Sequence, residues 1–120
     1  MTTTTLTILD TTVHGTASGN YDGSTNHFDS NSVRAANYYR GRGGVQTVGI
    51  SVTGFVGDIT IEGTLDSVDE TANWFTTAEY LSPSVLTDYH PITVTGNFTW
   101  MRVRVTNFDD GTINYVNITY

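Results

Sequence analysis

Three histidines, a crowded run of carboxylates and one Asp-initiated loop are the residues of this chain whose types admit catalysis or metal binding. His14, His27 and His90 lack the helical spacing by which two imidazoles share a zinc ion, so their pattern does not point to a metal centre. Asp22-Gly-Ser-Thr-Asn26 matches the first ligand positions of a calcium loop, but Val33 stands where the bidentate glutamate belongs, and the segment reads as a solvated turn. Asp66, Asp69 and Glu70 crowd one connection, with no second carboxylate placed opposite them as glycosidic hydrolysis requires. Ser51 and Ser82 lie outside any Gly-x-Ser-x-Gly elbow, and a chain without cysteine has no thiolate nucleophile. The expectation is a non-enzyme with no catalytic residue, no cofactor and no metal. Two glycosylation sequons, Asn97-Phe-Thr99 and Asn117-Ile-Thr119, overlap predicted strands and read as chance.

Recognition chemistry is better represented. Alternation through Phe98-Thr-Trp-Met-Arg-Val-Arg-Val105 puts Met101, Val103 and Val105 on one face and Trp100, Arg102 and Arg104 on the other. Arg34, Arg40 and Arg42 lie beside Tyr38 and Tyr39, and arginine with aromatics is a combination enriched at interfaces. The second face of the 98–105 strand is either covered by its own chain or turned to another subunit. All positive charge is guanidinium: there is no lysine, and the net charge is -7. Such a field repels phosphate, so no nucleic-acid partner is expected despite Arg40-Gly-Arg-Gly-Gly44. An alternative use of the aromatics is a sugar-stacking platform made of Trp74, Tyr80, Tyr89 and Trp100.

These side chains need strands to hold them. The 120 residues suffice for one two-layer core. Threonine and aromatics dominate while helix-forming stretches are missing, so the chain reads as a single all-β domain, an antiparallel, jelly-roll-like β-sandwich of about eight strands. Strand signals fall near Leu6 to Val13, Val33 to Tyr39, Val45 to Thr53, Asp58 to Leu65, Trp74 to Tyr80, Pro91 to Thr95, Phe98 to Val105 and Thr112 to Tyr120. Val48, Ile50 and Val52 share one face of a strand, and Ile59, Ile61, Gly63 and Leu65 one face of the next. Gly54 to Asp58 reads as the hairpin turn between them, and Gln46, Thr47, Ser51, Thr60, Glu62 and Thr64 as their solvent side. Thr95-Gly-Asn97 and Phe108-Asp-Asp-Gly111 read as two further turns.

Residues 14 to 32 form the longest polar, Gly-rich segment, a contact loop by expectation, with Tyr21, Asp22 and His27 as its candidates. Thr2, Thr3, Thr4 and Thr5 read as a free arm that orders against a partner. No apolar run approaches a membrane span and no secretion signal precedes the threonines, so no membrane partner and assembly in a cytoplasm are expected.

The order of segments resembles a known family. Tyr39-Arg-Gly-Arg-Gly-Gly-Val-Gln-Thr-Val-Gly-Ile-Ser-Val52, Phe55-Val-Gly-Asp-Ile-Thr-Ile-Glu-Gly-Thr-Leu-Asp66, Asn73-Trp-Phe75 and Thr95-Gly-Asn-Phe-Thr-Trp-Met-Arg-Val-Arg-Val105 are together similar to small β-sandwich virion proteins of tailed bacteriophages, especially marine and cyanobacterial phages. The similarity covers roughly residues 39 to 120; residues 1 to 38 carry none of it. What it implies is a virion structural protein, foremost a capsid decoration (cement) protein that stabilises the shell, otherwise a fibre, spike or tail module. The implied partners are the major capsid protein or other virion proteins and sibling copies, with a homotrimer favoured.

Overall fold

The computed structural model describes residues 4–38 and 44–120. All regular structure among the described residues is β: β1 (Thr5–Leu9), β2 (Thr12–Val13), β3 (Phe28–Asp29), β4 (Val33–Arg34), β5 (Val45–Thr64), β6 (Phe75–Thr95) and β7 (Trp100–Thr119). The sheet runs β1-β7-β5-β6, with β2, β3 and β4 also paired to β7, and every pairing is antiparallel.

Three strands are exceptionally long, and they cannot be straight. Twenty residues at roughly 3.3 Å each would span about 66 Å, whereas the longest dimension of the molecule is 40 Å. Each long strand bends in its middle, so its two halves lie in opposite layers of a sandwich around one core. In the first layer β5 contributes Val48, Ile50 and Val52, and β7 contributes Ile113, Val116 and Ile118; in the second they contribute Ile59 and Ile61, and Met101, Val103 and Val105.

The bends correct the expected turns. Gly54 to Asp58 does not close a hairpin, because residues 45–53 and 58–64 are one strand whose register with β7 shifts between Thr53 and Asp58. Asp109-Asp110-Gly111 likewise lies inside β7. A left-handed Gly is wanted at a bulge as much as at a two-residue turn, so the local signal is shared by both. Gly54 (φ 59°) and Gly111 (φ 85°) face each other at this crossing. A Cβ on Gly111 would stand 2.2 Å from the Gly54 carbonyl oxygen. The segment 81–90, with no strand expected, is the middle of β6, while the turn at Thr95-Gly-Asn97 does separate β6 from β7. Merging three pairs of the eight expected segments leaves five; Leu6 to Val13 divides into β1 and β2, and β3 is added, which gives the seven strands of the described residues.

Three polar residues expected on the solvent side are buried: Gln46, Glu62 and Thr64. Gln46 shares its parity with Val48 and so points inward. Its amide is satisfied there, Nε2 donating to Val94 O (2.7 Å) and Oε1 accepting from Ala36 N (3.2 Å). Leu65, expected in the core, lies just past the end of β5 and is 60% exposed.

The loop after β2 is pinned by aromatics. Tyr21 is 1% exposed and packs on Phe28 (5.1 Å) and Phe108 (5.3 Å), while its hydroxyl accepts from Gly15 N. Tyr21 is therefore a core residue and not the partner contact expected of it. Thr4 and Thr5, expected in a free arm, are part of the sheet: Thr4 N donates to Tyr120 O (2.8 Å), Tyr120 N donates back to Thr4 O (2.9 Å), and Thr5 pairs with Thr119. Thr2, Thr3, Arg40 and Arg42 lie outside the described residues.

Candidate functional site

The bends divide the recognition residues between two outer faces. On the second layer β3, β7 and β5 carry Asp29, Arg104, Arg102 and Glu62 side by side. Arg102 Nε donates to Glu62 Oε1 at 2.8 Å, and its guanidinium lies 4.4 Å from the Trp74 ring centroid and 3.9 Å from Asp29. Arg104 makes a two-point pair with Asp29 at 2.7 and 3.3 Å, which holds the Asp29 carboxyl below its ordinary range and raises Arg104. Trp100, half-buried, donates Nε1–H to Ser67 O and meets the Tyr38 ring edge-on at 5.0 Å, with Arg34 stacked on Tyr38. The arginines and tryptophans of this face are thus engaged within the chain.

The expected loop contacts are also self-satisfied. Asp22 Oδ1 accepts the backbone N–H groups of Ser24 and Thr25, both at 2.8 Å, and these bonds, that from Thr25 foremost, depress its pKa to about 2. This is a turn closed by its own aspartate. His27 is exposed, its Nδ1 3.3 Å from Asn26 Oδ1. Among the described residues no group of three His, Asp or Glu side chains could hold a metal ion.

On the first layer a different surface is assembled. Cross-strand partners Thr5–Thr119–Thr47–Thr93 form one outward row, and Thr7–Asn117–Gly49–Pro91 the next. Hydroxyl contacts of 3.1 Å link Thr5 to Thr119 and Thr47 to Thr93. A cleft of about 460 Å³ lies over these rows, lined by Thr5, Thr47, Gly49, Tyr89, Pro91, Asn117 and Thr119.

Tyr89 is the cleft's dominant feature. It is 68% exposed, yet it is not a loose surface side chain. Its ring leans along β6 over the bare backbone of Gly49, Cε1 lying 3.5 Å from where a Cβ would be. Tyr115 braces it from the side, the two rings at 6.1 Å and 74°, and a hydrogen bond with Tyr89 raises the Tyr115 phenol above its ordinary pKa. Asn117 lines the same cleft, and its Oδ1 is buried without a hydrogen-bond partner among the described residues.

Of the expected aromatic platform, Trp74 and Trp100 sit on the second layer and Tyr89 on the first. Tyr80 is buried at 6% exposure, its hydroxyl donating to Asp88 Oδ2. The four do not form one surface. Thr47, Gly49 and Pro91 carry no individual sequence signal for a site, and Asn117 and Thr119 only a sequon that reads as chance, because their proximity arises only when β1, β7, β5 and β6 are laid side by side.

No protein-family model matches the chain, and no curated protein is significantly similar to it. Solved structures do superpose on it along nearly its whole length. A family 29 carbohydrate-binding module from Piromyces equi superposes with a TM-score of 0.51 at 13% identity, covering 98% of this chain and 91% of that one. Chitosan-binding module 1 from a chitosanase/glucanase of Paenibacillus sp. IK-5 gives 0.48 at 21% identity, over 99% and 93%. A CBM35 module from Paenibacillus barcinonensis gives 0.42 at 18%, over 98% of each. At 13% identity the likeness to the Piromyces equi module speaks to the fold alone. The chain is an all-β sandwich.

Proposed function

We propose that the chain is a non-catalytic carbohydrate-binding module whose site is the cleft under Tyr89. The observation that carries this reading is the pairing of one exposed, braced tyrosine ring with hydroxyl and amide groups. A sugar ring presents C–H bonds on its faces and hydroxyls around its rim, so it needs a flat apolar surface bordered by donors and acceptors. Tyr89 on Gly49 supplies the first; Thr5, Thr47, Thr119 and Asn117 supply the second. Further support comes from the fold, which a carbohydrate-binding module from Piromyces equi shares. The test is isothermal titration of the chain and of Tyr89→Ala against a polysaccharide panel. Saturable binding that the substitution removes is the expected result, and failure of every polysaccharide to bind the parent chain refutes the reading.

A virion structural role is the second reading, and the exposed edge of β6 favours it. β6 is the last strand of the sheet order, and Leu81, Val85 and Leu86 are exposed along it. Such an edge suits coverage by a neighbouring subunit. Light scattering on the purified chain, followed by co-sedimentation with undecorated capsids, tests it: a trimer that saturates capsids supports decoration, and a monomer that ignores them does not.

A further inference from the structure

We infer that the Tyr89 cleft takes the interior of an extended, uncharged β-1,4-linked glycan lying across the strands, an inference that rests on the sugar-binding reading. Three features of the cleft lead there.

The first is its repeat. Lining residues of one row recur once per strand, and neighbouring strands lie about 4.8 Å apart. An extended β-1,4-linked chain advances by nearly the same step per sugar ring, so each ring meets a new strand in register. Thr47, Thr119 and Thr5 then present one hydroxyl per step along one wall, while Tyr89 and Asn117 lie under the chain. Four strands give roughly three such steps, room for about three or four rings. An α-1,4-linked chain coils, and a β-1,3-linked chain curves, so neither keeps this register.

The second is the openness of its ends. Every described lining residue comes from a strand: Thr5 from β1, Asn117 and Thr119 from β7, Thr47 and Gly49 from β5, Tyr89 and Pro91 from β6. Among the described residues no loop side chain lines the cleft to cap either end. β1 and β6 are the outer strands of the sheet order, so a polymer can enter over one and leave over the other.

The third is its charge. Among the described residues the lining contains no Asp, Glu, His or Arg, although the chain carries a net charge of -7. An acidic polymer is repelled by that field, and a cationic one finds no carboxylate in the cleft with which to pair.

The experiment is a hexasaccharide panel titrated against the full chain: cellohexaose, mannohexaose, N-acetylchitohexaose, laminarihexaose and maltohexaose, with a length series for whichever binds best. Expected results are binding of at least one β-1,4-linked member, affinity that rises up to about three or four rings and then levels, little change on reduction of the chain end, and weak salt dependence. The Thr47→Val/Thr119→Val double variant, a strand-compatible exchange verified by its melting temperature, loses about tenfold in affinity. Equal binding of maltohexaose or laminarihexaose, full affinity in a monosaccharide, or loss of binding on chain-end reduction overturns the inference while leaving sugar binding intact. Absence of binding to every glycan overturns both.

Discussion

The Tyr89 ring rests on Gly49, with Cε1 3.5 Å from the position a β-carbon would take. That spacing is ordinary van der Waals contact, and Gly49 has no left-handed backbone, so alanine fits. Gly49→Ala therefore raises stability by about 0.5 kcal/mol through the lost chain entropy of glycine and leaves ligand affinity within twofold. Gly49→Val keeps the strand but pushes the tyrosine off its seat, so affinity falls while the melting temperature holds. Thermal melts paired with titration on both variants separate the two effects; joint loss of fold and binding in Gly49→Val contradicts the seating argument.

Phe108 joins the loop to the bend of β7. It is fully buried, and the rings of Tyr21, Phe28, Phe55 and His14 lie 5.3 to 6.3 Å from its own. Phe108→Ala is expected to cost about 3–5 kcal/mol, read as a lowered urea midpoint with an unchanged slope. A cost below about 1 kcal/mol contradicts the packing described.

The crossing of β5 and β7 admits no side chain at Gly111. Both its φ of 85° and the 2.2 Å approach to the Gly54 carbonyl exclude a β-carbon. Gly111→Ala should destabilise by more than about 2 kcal/mol. If residue 111 sat in a free hairpin turn, the cost would be only the backbone strain of about 1 kcal/mol, and equilibrium unfolding decides between them.

Two arginine pairs on the second layer differ in burial, and so in worth. Glu62 is 8% exposed, and Arg102→Ala strips it of its 2.8 Å partner at a cost of about 3 kcal/mol. Arg104 and Asp29 are well exposed, and Arg104→Ala costs less than about 1 kcal/mol, falling further in high salt. Equal costs for the two substitutions contradict this ranking.

Tyr80 makes the fold sensitive to alkali. Burial first, and then the Asp88 carboxylate that accepts its hydrogen bond, raise its pKa from an ordinary 10.0 to about 12. Between these values the folded state retains a proton that the unfolded state has lost, so stability is present below pH 10 and falls as pH rises towards 12. Melting temperature against pH should drop across that window, and less steeply in Tyr80→Phe. Identical profiles for the two proteins would falsify the assignment.

How much of this was legible in advance differs by feature. Strand composition, the inward sides of Val48–Val52, Ile59–Ile61 and Met101–Val105, and the all-β character of the described residues follow from alternation and β-branched content, which are local properties. The place of Tyr21 was not legible, because a polar Gly-rich loop gives no sign that one of its rings fills a hole beside Phe108. Glu62 was missed for a related reason: its burial under Arg102 depends on a strand paired to it from 40 positions away.

By itself, then, the chain's order of residues determined an antiparallel β protein with a β-branched core, a polar Gly-rich connection before residue 33, and surface aromatics with arginine as its only strong cation. Tertiary structure decided the rest. Whether Gly54 and Gly111 end strands or bend them depends on whether the neighbouring strand continues past them, since positive φ serves either geometry. Those bends send Trp74 and Trp100 to one outer face and Tyr89 to the other. The cleft exists because Thr5, Thr47, Tyr89 and Asn117, remote along the chain, become neighbours across four hydrogen-bonded strands, and register between strands is a long-range property that no local pattern encodes.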